Sequence, residues 1–187
     1  MSLGRGVPGL TSPGTPLIGR EDEIERVGSL LANPGTLLVS ILGPGGAGKT
    51  RLALATIEQI QDRYPGGVIP VALADVATSA AALDSIASAF GAPAREDTDP
   101  VVRIAASAPG EHALLVLDNL EQIRNLSAPI ATLLGAVPSL QILVTSRSPL
   151  RIRGERELPL DPLSVPERAI WNDPAALGAN PAVRLFV

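Results

Sequence analysis

A chain of 187 residues with a formal net charge of −4 and a pI near 5.0 suits a single domain with a full apolar core, and its acidity argues against a nucleic-acid-binding surface, which needs clustered positive charge. The absence of cysteine removes disulfides and thiolate metal sites, and the scarcity of aromatic residues leaves the core to Leu, Ile, Val and Ala. No apolar run is long enough to span a membrane and the first residues lack a signal-peptide core, so the expectation is a soluble, cytoplasmic protein with no membrane partner.

Residues 1–16 are rich in Gly, Pro, Ser and Thr and read as a flexible linker or cloning remnant. The stretch 17–21 leads into a helix on which Ile24, Val27, Leu30 and Leu31 recur at helical spacing behind an acidic first turn; Asn33-Pro34-Gly35 ends it. Residues 36–42 form an unbroken apolar strand of the kind buried on both faces of a parallel sheet. A glycine-rich loop follows, then a helix over 50–64, closed by Pro65-Gly66-Gly67. A second strand is expected over 68–75, helices over 80–90 and 101–108, and a third strand over 112–118. A helix over 123–137, interrupted or displaced by Pro129, a fourth strand over 140–146 and a fifth over 155–160 complete the pattern. The β-α alternation predicts an α/β fold with a parallel five-stranded sheet and helices on both faces.

Prolines constrain the sheet order, because a residue without an N–H is confined mainly to edges, strand starts or bulges. Pro70 and Pro159 nominate the second and fifth strands as edges. The first strand is then free to sit between the fourth and fifth, in the order 5-1-4-3-2, although the edge argument alone leaves the internal order open.

The sharpest motif is Gly43-Pro44-Gly45-Gly46-Ala47-Gly48-Lys49-Thr50, which fits the phosphate-cradling pattern G-x-x-x-x-G-K-[ST] between a strand and a helix. Successive backbone N–H groups of such a loop face phosphate oxygens, and the helix dipole adds partial positive charge. Lys49 is the chain's sole lysine among fourteen arginines. A compact ammonium fits among phosphates where a wide planar guanidinium does not, which explains why lysine persists there. Lys49 is expected on the β- and γ-phosphates and the Thr50 hydroxyl on Mg²⁺.

The third strand ends in Asp118, at the carboxyl end of the sheet where open α/β folds bind ligands, and a carboxylate there suits the Mg²⁺ shell. Asn119 is an amide and cannot act as a base. Glu121 has two readings, a general base for water attack or a favourable acid at the start of the next helix. Arg147 follows Thr145-Ser146 and emerges beside the phosphates if the fourth strand flanks the first. A guanidinium there senses the γ-phosphate or stabilises developing charge; the alternative is a surface cluster with Arg151, Arg153 and Arg156. His112 reads as a surface residue, and Mg²⁺ accompanying nucleotide is the only metal expected. The guanine-reading N-K-x-D pattern and the L-S-G-G-Q signature are absent.

Leu17-Ile18-Gly19-Arg20-Glu21, the glycine loop, Leu114 to Asn119, Ile142 to Arg147 and Leu158-Pro159-Leu160 resemble, in order and spacing, the P-loop ATPase domain of STAND proteins. These are relatives of NB-ARC and apoptotic ATPases, and the likeness is to those of bacterial LuxR-type and antibiotic-regulatory transcriptional activators in particular. The resemblance implies a P-loop NTPase with a 5-1-4-3-2 sheet acting as an ATP/ADP switch. ADP would hold a closed monomer, and signal-linked exchange for ATP would permit oligomerisation of the full-length protein. It places Ile18 and Arg20 near the adenine or ribose. It assigns Gly43, Gly45, Gly46, Ala47, Gly48, Lys49, Thr50 and Arg51 to the nucleotide, Thr50 and Asp118 to the metal, and Arg147 to γ-phosphate sensing. Asn119 departs from the family pattern, where a second acid is usual, which leaves the rate of hydrolysis open.

Ser164 with Glu167 reads as a capping box and Asn180-Pro181 as a helix start; the last helix carries Val183, Leu185, Phe186 and Val187. Residues 17–163 are thus expected to form the nucleotide-binding domain and residues 164–187 the beginning of a truncated helical lid of a larger protein, with the present chain monomeric. The leading functional expectation is a nucleotide switch with weak Mg²⁺-dependent ATPase activity, partnered by other domains of the full-length protein and making no direct contact with nucleic acid. The alternatives are a module that holds ADP without turnover and a P-loop kinase for a small acceptor, for which no acceptor motif is found.

Overall fold

The computed structural model describes residues 17–95, 97–166, 171 and 173–185. The elements are α1 (Glu21–Ala32), β1 (Leu38–Leu42), α2 (Lys49–Ile60), β2 (Val68–Ala72), α3 (Ser79–Ala89), α4 (Pro100–Ser107), β3 (Ala113–Asp118), α5 (Ser127–Ala136), β4 (Leu140–Ser146), β5 (Glu155–Pro159), α6 (Pro174–Ala179) and α7 (Pro181–Arg184), with single 3₁₀ turns at Gln61–Arg63 and Leu120–Gln122. The expected linker at 1–16, Glu167 of the expected capping box, and Phe186 and Val187 lie outside the described residues. Among the described residues no helix is long and apolar enough to cross a membrane.

The strands form one sheet in the order β2-β3-β4-β1-β5, with every neighbouring pair parallel. Pro70 and Pro159 do lie on the two edge strands, Pro70 level with Val116 and Pro159 level with Leu42. Alternate residues of the central strands face opposite layers. Leu38, Leu115, Leu117, Ile142 and Val144 pack with Ile86, Ile104 and Ile130 of α3, α4 and α5. Val39, Ile41, Leu114, Val116 and Leu143 pack with Val27, Leu52 and Ile57 of α1 and α2. Burying both faces explains the near-continuous apolar run of each central strand.

The helix starts have local causes. Thr78 caps α3 by accepting from the Ala81 N–H, and Asp99 caps α4 by accepting from Val101, with Pro100 in the first turn, where its missing N–H costs nothing. The helix expected over 123–137 begins four residues later. Asn119 adopts a left-handed conformation (φ 66°) and the chain makes the Leu120–Gln122 turn before α5 starts, so Pro129 falls in the first turn. The first and second strands are shorter than expected because residues 36–37 and 73–75 flank the ladder rather than join it. Asn180 caps α7 as expected, accepting from Ala182 and Val183.

Candidate functional site

The carboxyl ends of β1, β3 and β4 converge, because these strands are neighbours and Leu42 lies level with Ser146. The glycine loop leaves β1 at this end of the sheet and its backbone is tied to β4 through the Gly43 N–H, which donates to the Ser146 carbonyl at 3.2 Å. Gly48 sits at φ 92° immediately before α2, a conformation that L side chains rarely adopt, so the residue that directs the chain into the helix has to be glycine.

Lys49, the first residue of α2, is buried, and its ammonium donates to the carbonyls of Gly43 (2.9 Å) and Pro44 (3.0 Å). An ammonium has three N–H donors; with two spent on the loop, the third is available to a phosphate oxygen. Thr50 Oγ1 lies 2.8 Å from Asp118 Oδ1, to which it donates. A hydroxyl and a carboxylate oxygen side by side, beneath a loop shaped for phosphate, are the hard oxygen donors that suit Mg²⁺, an ion that completes its shell with phosphate and water. Among the described residues there is no group of three or more His, Cys, Asp or Glu able to hold a metal by themselves.

Asp118 is held in place by a residue whose part the sequence did not reveal. Thr145, fully buried on β4, donates to Asp118 Oδ1 at 2.5 Å and accepts from the Asn119 N–H at 3.0 Å. One hydroxyl thus orients the carboxylate and supports the left-handed turn after it. The signal for it in the sequence was a hydroxyl residue, followed by Ser146, after the apolar run Ile142 to Val144.

Arg147 and Glu121 were singled out separately, and the structure brings them together. Arg147 Nε donates to Glu121 Oε1 at 3.0 Å, with the arginine largely exposed and the glutamate largely buried. The Arg147 guanidinium also lies over the loop, close enough to make ordinary contact with a Cβ placed on Gly45. Glu121 Oε2 is buried and lacks a hydrogen-bond partner. A buried carboxylate oxygen without a donor is costly, so this oxygen is ready for a donor such as water.

The remaining candidates spread outward. Arg51 lies half-buried on α2, and Ile18 half-buried ahead of α1. Arg20 is buried, and its guanidinium contacts Glu23 and the carbonyls of Ala47 and Asp161. Arg151, Arg153 and Arg156 are exposed. His112 is also exposed, as expected, and stacks on Tyr64 at the opposite end of the sheet.

A family profile described as the AAA ATPase domain matches residues 16–145, from the lead-in to α1 into β4. The chain belongs to the AAA ATPase domain family. Membership implies nucleotide binding, with Mg²⁺ as the usual companion ion. A Mycobacterium tuberculosis protein that bears the provisional name HTH-type transcriptional regulator is 33% identical over 136 residues, 71% of this chain and 15% of that protein. An uncharacterized protein of the same organism is 32% identical over 157 residues, 83% of this chain and 39% of its own length. The AAA ATPase domain described here therefore spans well under half of either relative. Its fold is similar to that of Cdc6p from Pyrobaculum aerophilum, with a TM-score of 0.60 at 17% identity over 90% of this chain and 45% of that one.

Proposed function

We propose that this AAA ATPase domain is an ATP/ADP-operated switch of the STAND type, working within a larger transcription-regulatory or signalling protein and hydrolysing ATP slowly with Mg²⁺. The observation that carries the reading is the convergence of Lys49, Thr50 and Asp118 at the carboxyl end of the sheet, with Arg147 and Glu121 beside them. Lys49 binds the β- and γ-phosphates with the donor that the loop carbonyls leave over. Thr50 and Asp118 would hold the ion, which would neutralise phosphate charge. Arg147, over Gly45, reaches the third phosphate and so separates ATP from ADP. Glu121, freed from Arg147, accepts a proton from water or orients it.

The regulatory character rests on what the site withholds. Asn119 occupies the position where a second acid is usual in the NB-ARC pattern, and Glu121 is engaged by Arg147. Both favour slow turnover, and they equally support a second reading in which the domain holds ADP without hydrolysing ATP. The relatives' greater length supports further domains as partners, and the acidity of the chain supports a role without direct contact to nucleic acid. Cytoplasmic residence and a monomeric state for this chain, with ATP-linked oligomerisation reserved for the whole protein, belong to the same proposal.

Titration with labelled ADP and ATP tests the reading directly, and absence of binding at millimolar nucleotide would sink it. Phosphate release above background that disappears in Asp118→Ala would select the ATPase over the ADP-holding module. Sedimentation showing a stable ring or dimer without nucleotide would contradict the monomer.

A further inference from the structure

Arg20 occupies the N-cap position of α1 and is buried, with 7% of its surface exposed. A guanidinium is costly to bury unless its charge is paired and its donors are used. Glu23, one turn into α1, supplies the charge, with Nη1 to Oε1 at 2.6 Å. Nη2 is directed at two backbone carbonyls far apart in sequence, Asp161 at 2.5 Å and Ala47 at 3.4 Å. Ala47 lies inside the glycine loop. Asp161 belongs to the segment that leaves β5 for the C-terminal helices. A planar guanidinium holds its donors in a fixed fork and meets the carboxylate with one nitrogen and the carbonyls with another, whereas an ammonium presents all its donors from a single nitrogen.

Two further contacts bind the same segment to the end of β1 and the first residue of the loop. The Leu160 N–H donates to the Leu42 carbonyl at 2.6 Å, and the Leu160 carbonyl crosses Gly43 so closely that any Cβ there would collide with it. Gly19, next to Arg20, lies against α7: a Cβ on it would fall 2.5 Å from Pro181 Cβ and 2.6 Å from Cγ. The Gly19-Arg20 pair therefore touches the glycine loop, the exit from β5 and the last helix.

We infer that Arg20 is a positioning residue that locks the phosphate loop to the segment 160–161, so that displacement of the C-terminal segment relaxes the loop and phosphate bound in the loop fixes the segment. The inference rests on the nucleotide-site reading above and gives that site a route of regulation. The coupling is reciprocal, as any linkage between two equilibria must be. It also assigns the Arg20 donors to the protein itself rather than to the adenine or ribose that the family resemblance implied.

Amide exchange by mass spectrometry on the nucleotide-free chain, together with labelled-ADP titration, tests this. Arg20→Lys keeps the charge and loses the fork. It is expected to speed exchange about tenfold in peptides covering 43–48 and 159–165, as loss of a charge-assisted hydrogen bond predicts, and to leave β3 and β4 unchanged. ADP should slow exchange at 159–165 in the wild type and not in the variant. Acceleration throughout the chain would reduce Arg20 to a general stabiliser and overturn the inference. Weaker ADP binding with exchange at 159–165 unaltered would overturn it too, in favour of a nucleotide contact. If Arg20→Lys does not fold, Glu23→Gln loosens the guanidinium while retaining it, and a milder acceleration in the same two peptides is expected; none there would refute the lock. A wild type that binds no ADP defeats the nucleotide reading alone, because the nucleotide-free exchange comparison still decides whether the lock exists.

Discussion

Arg147 Nε and Glu121 Oε1 lie 3.0 Å apart beside the glycine loop, and the guanidinium is the exposed partner while the carboxylate is the buried one. With the guanidinium largely in solvent the pair is screened and contributes little to stability, so its consequence is positional: the arginine has somewhere to rest when no third phosphate is present. Arg147→Ala should therefore weaken ATP binding about tenfold more than ADP binding, because one charge-assisted hydrogen bond to the terminal phosphate is lost from ATP alone. Paired titrations with labelled ATP and ADP measure this ratio, and an equal loss for both nucleotides would show that Arg147 does not tell them apart.

Lys49 should be irreplaceable. Its ammonium sits within 3.0 Å of two loop carbonyls in a buried position, a space that a planar fork would overfill. Lys49→Ala is expected to weaken nucleotide binding by on the order of 100-fold, and Lys49→Arg to restore little of it despite keeping the charge. Calorimetric titration of both variants with ADP is the check; near-normal binding by Lys49→Arg would mean that charge alone matters at this point.

How far the sequence carried depends on how far apart the interacting residues are. The loop from Gly43 to Thr50 was legible because its chemistry is contiguous, and the edge strands because Pro70 and Pro159 cannot donate to a ladder. The 5-1-4-3-2 order needed the family resemblance in addition, since no local rule places β1 between β4 and β5. Thr145 beneath Asp118, the pairing of Arg147 with Glu121 and the reach of Arg20 to Asp161 all depend on contacts that exist only once β3 lies beside β4, or once the chain returns over the loop after β5. The start of α5 was half legible: Pro129 signalled a shifted helix, whereas the left-handed Asn119 that displaces it is supported by a side chain from a different strand.

Thr145→Val keeps the shape of the side chain and removes the hydroxyl that joins Asp118 to the Asn119 N–H. Leaving the Asn119 N–H without its acceptor, and Asp118 with the Thr50 hydroxyl still donating to it but without that of Thr145, should cost about 1–3 kcal/mol of unfolding free energy. The Asp118 carboxylate also loses its orientation, so the Mg²⁺ dependence of nucleotide affinity should flatten. Urea denaturation and ADP titration with and without Mg²⁺ report the two effects independently; a loss of stability with the Mg²⁺ dependence intact would confine Thr145 to a structural role.

At the opposite end of the sheet, Tyr64 offers a test of the core that does not touch the nucleotide site. Its hydroxyl donates to Gln141 Oε1 at 2.8 Å, and the Gln141 amide in turn donates to the carbonyls of Leu31 and Thr36. Burial of the phenol disfavours the phenolate and pushes its pKa up to about 12, with Arg63 nearby pulling weakly the other way. In the unfolded chain the same group titrates near 10.0. Between those values the unfolded state has released the proton and the folded state still holds it, so unfolding becomes easier as pH rises. The contribution of Tyr64 to stability is thus complete below about pH 10 and is lost progressively towards pH 12. Tyr64→Phe should lower stability at pH 7 by about 1 kcal/mol for the missing hydrogen bond, and its stability should fall less steeply than that of the wild type over the alkaline range. Denaturant midpoints measured from pH 8 to the alkaline limit of folding compare the two slopes; parallel curves would mean that the Tyr64 phenol ionises as readily in the folded protein as in the unfolded chain.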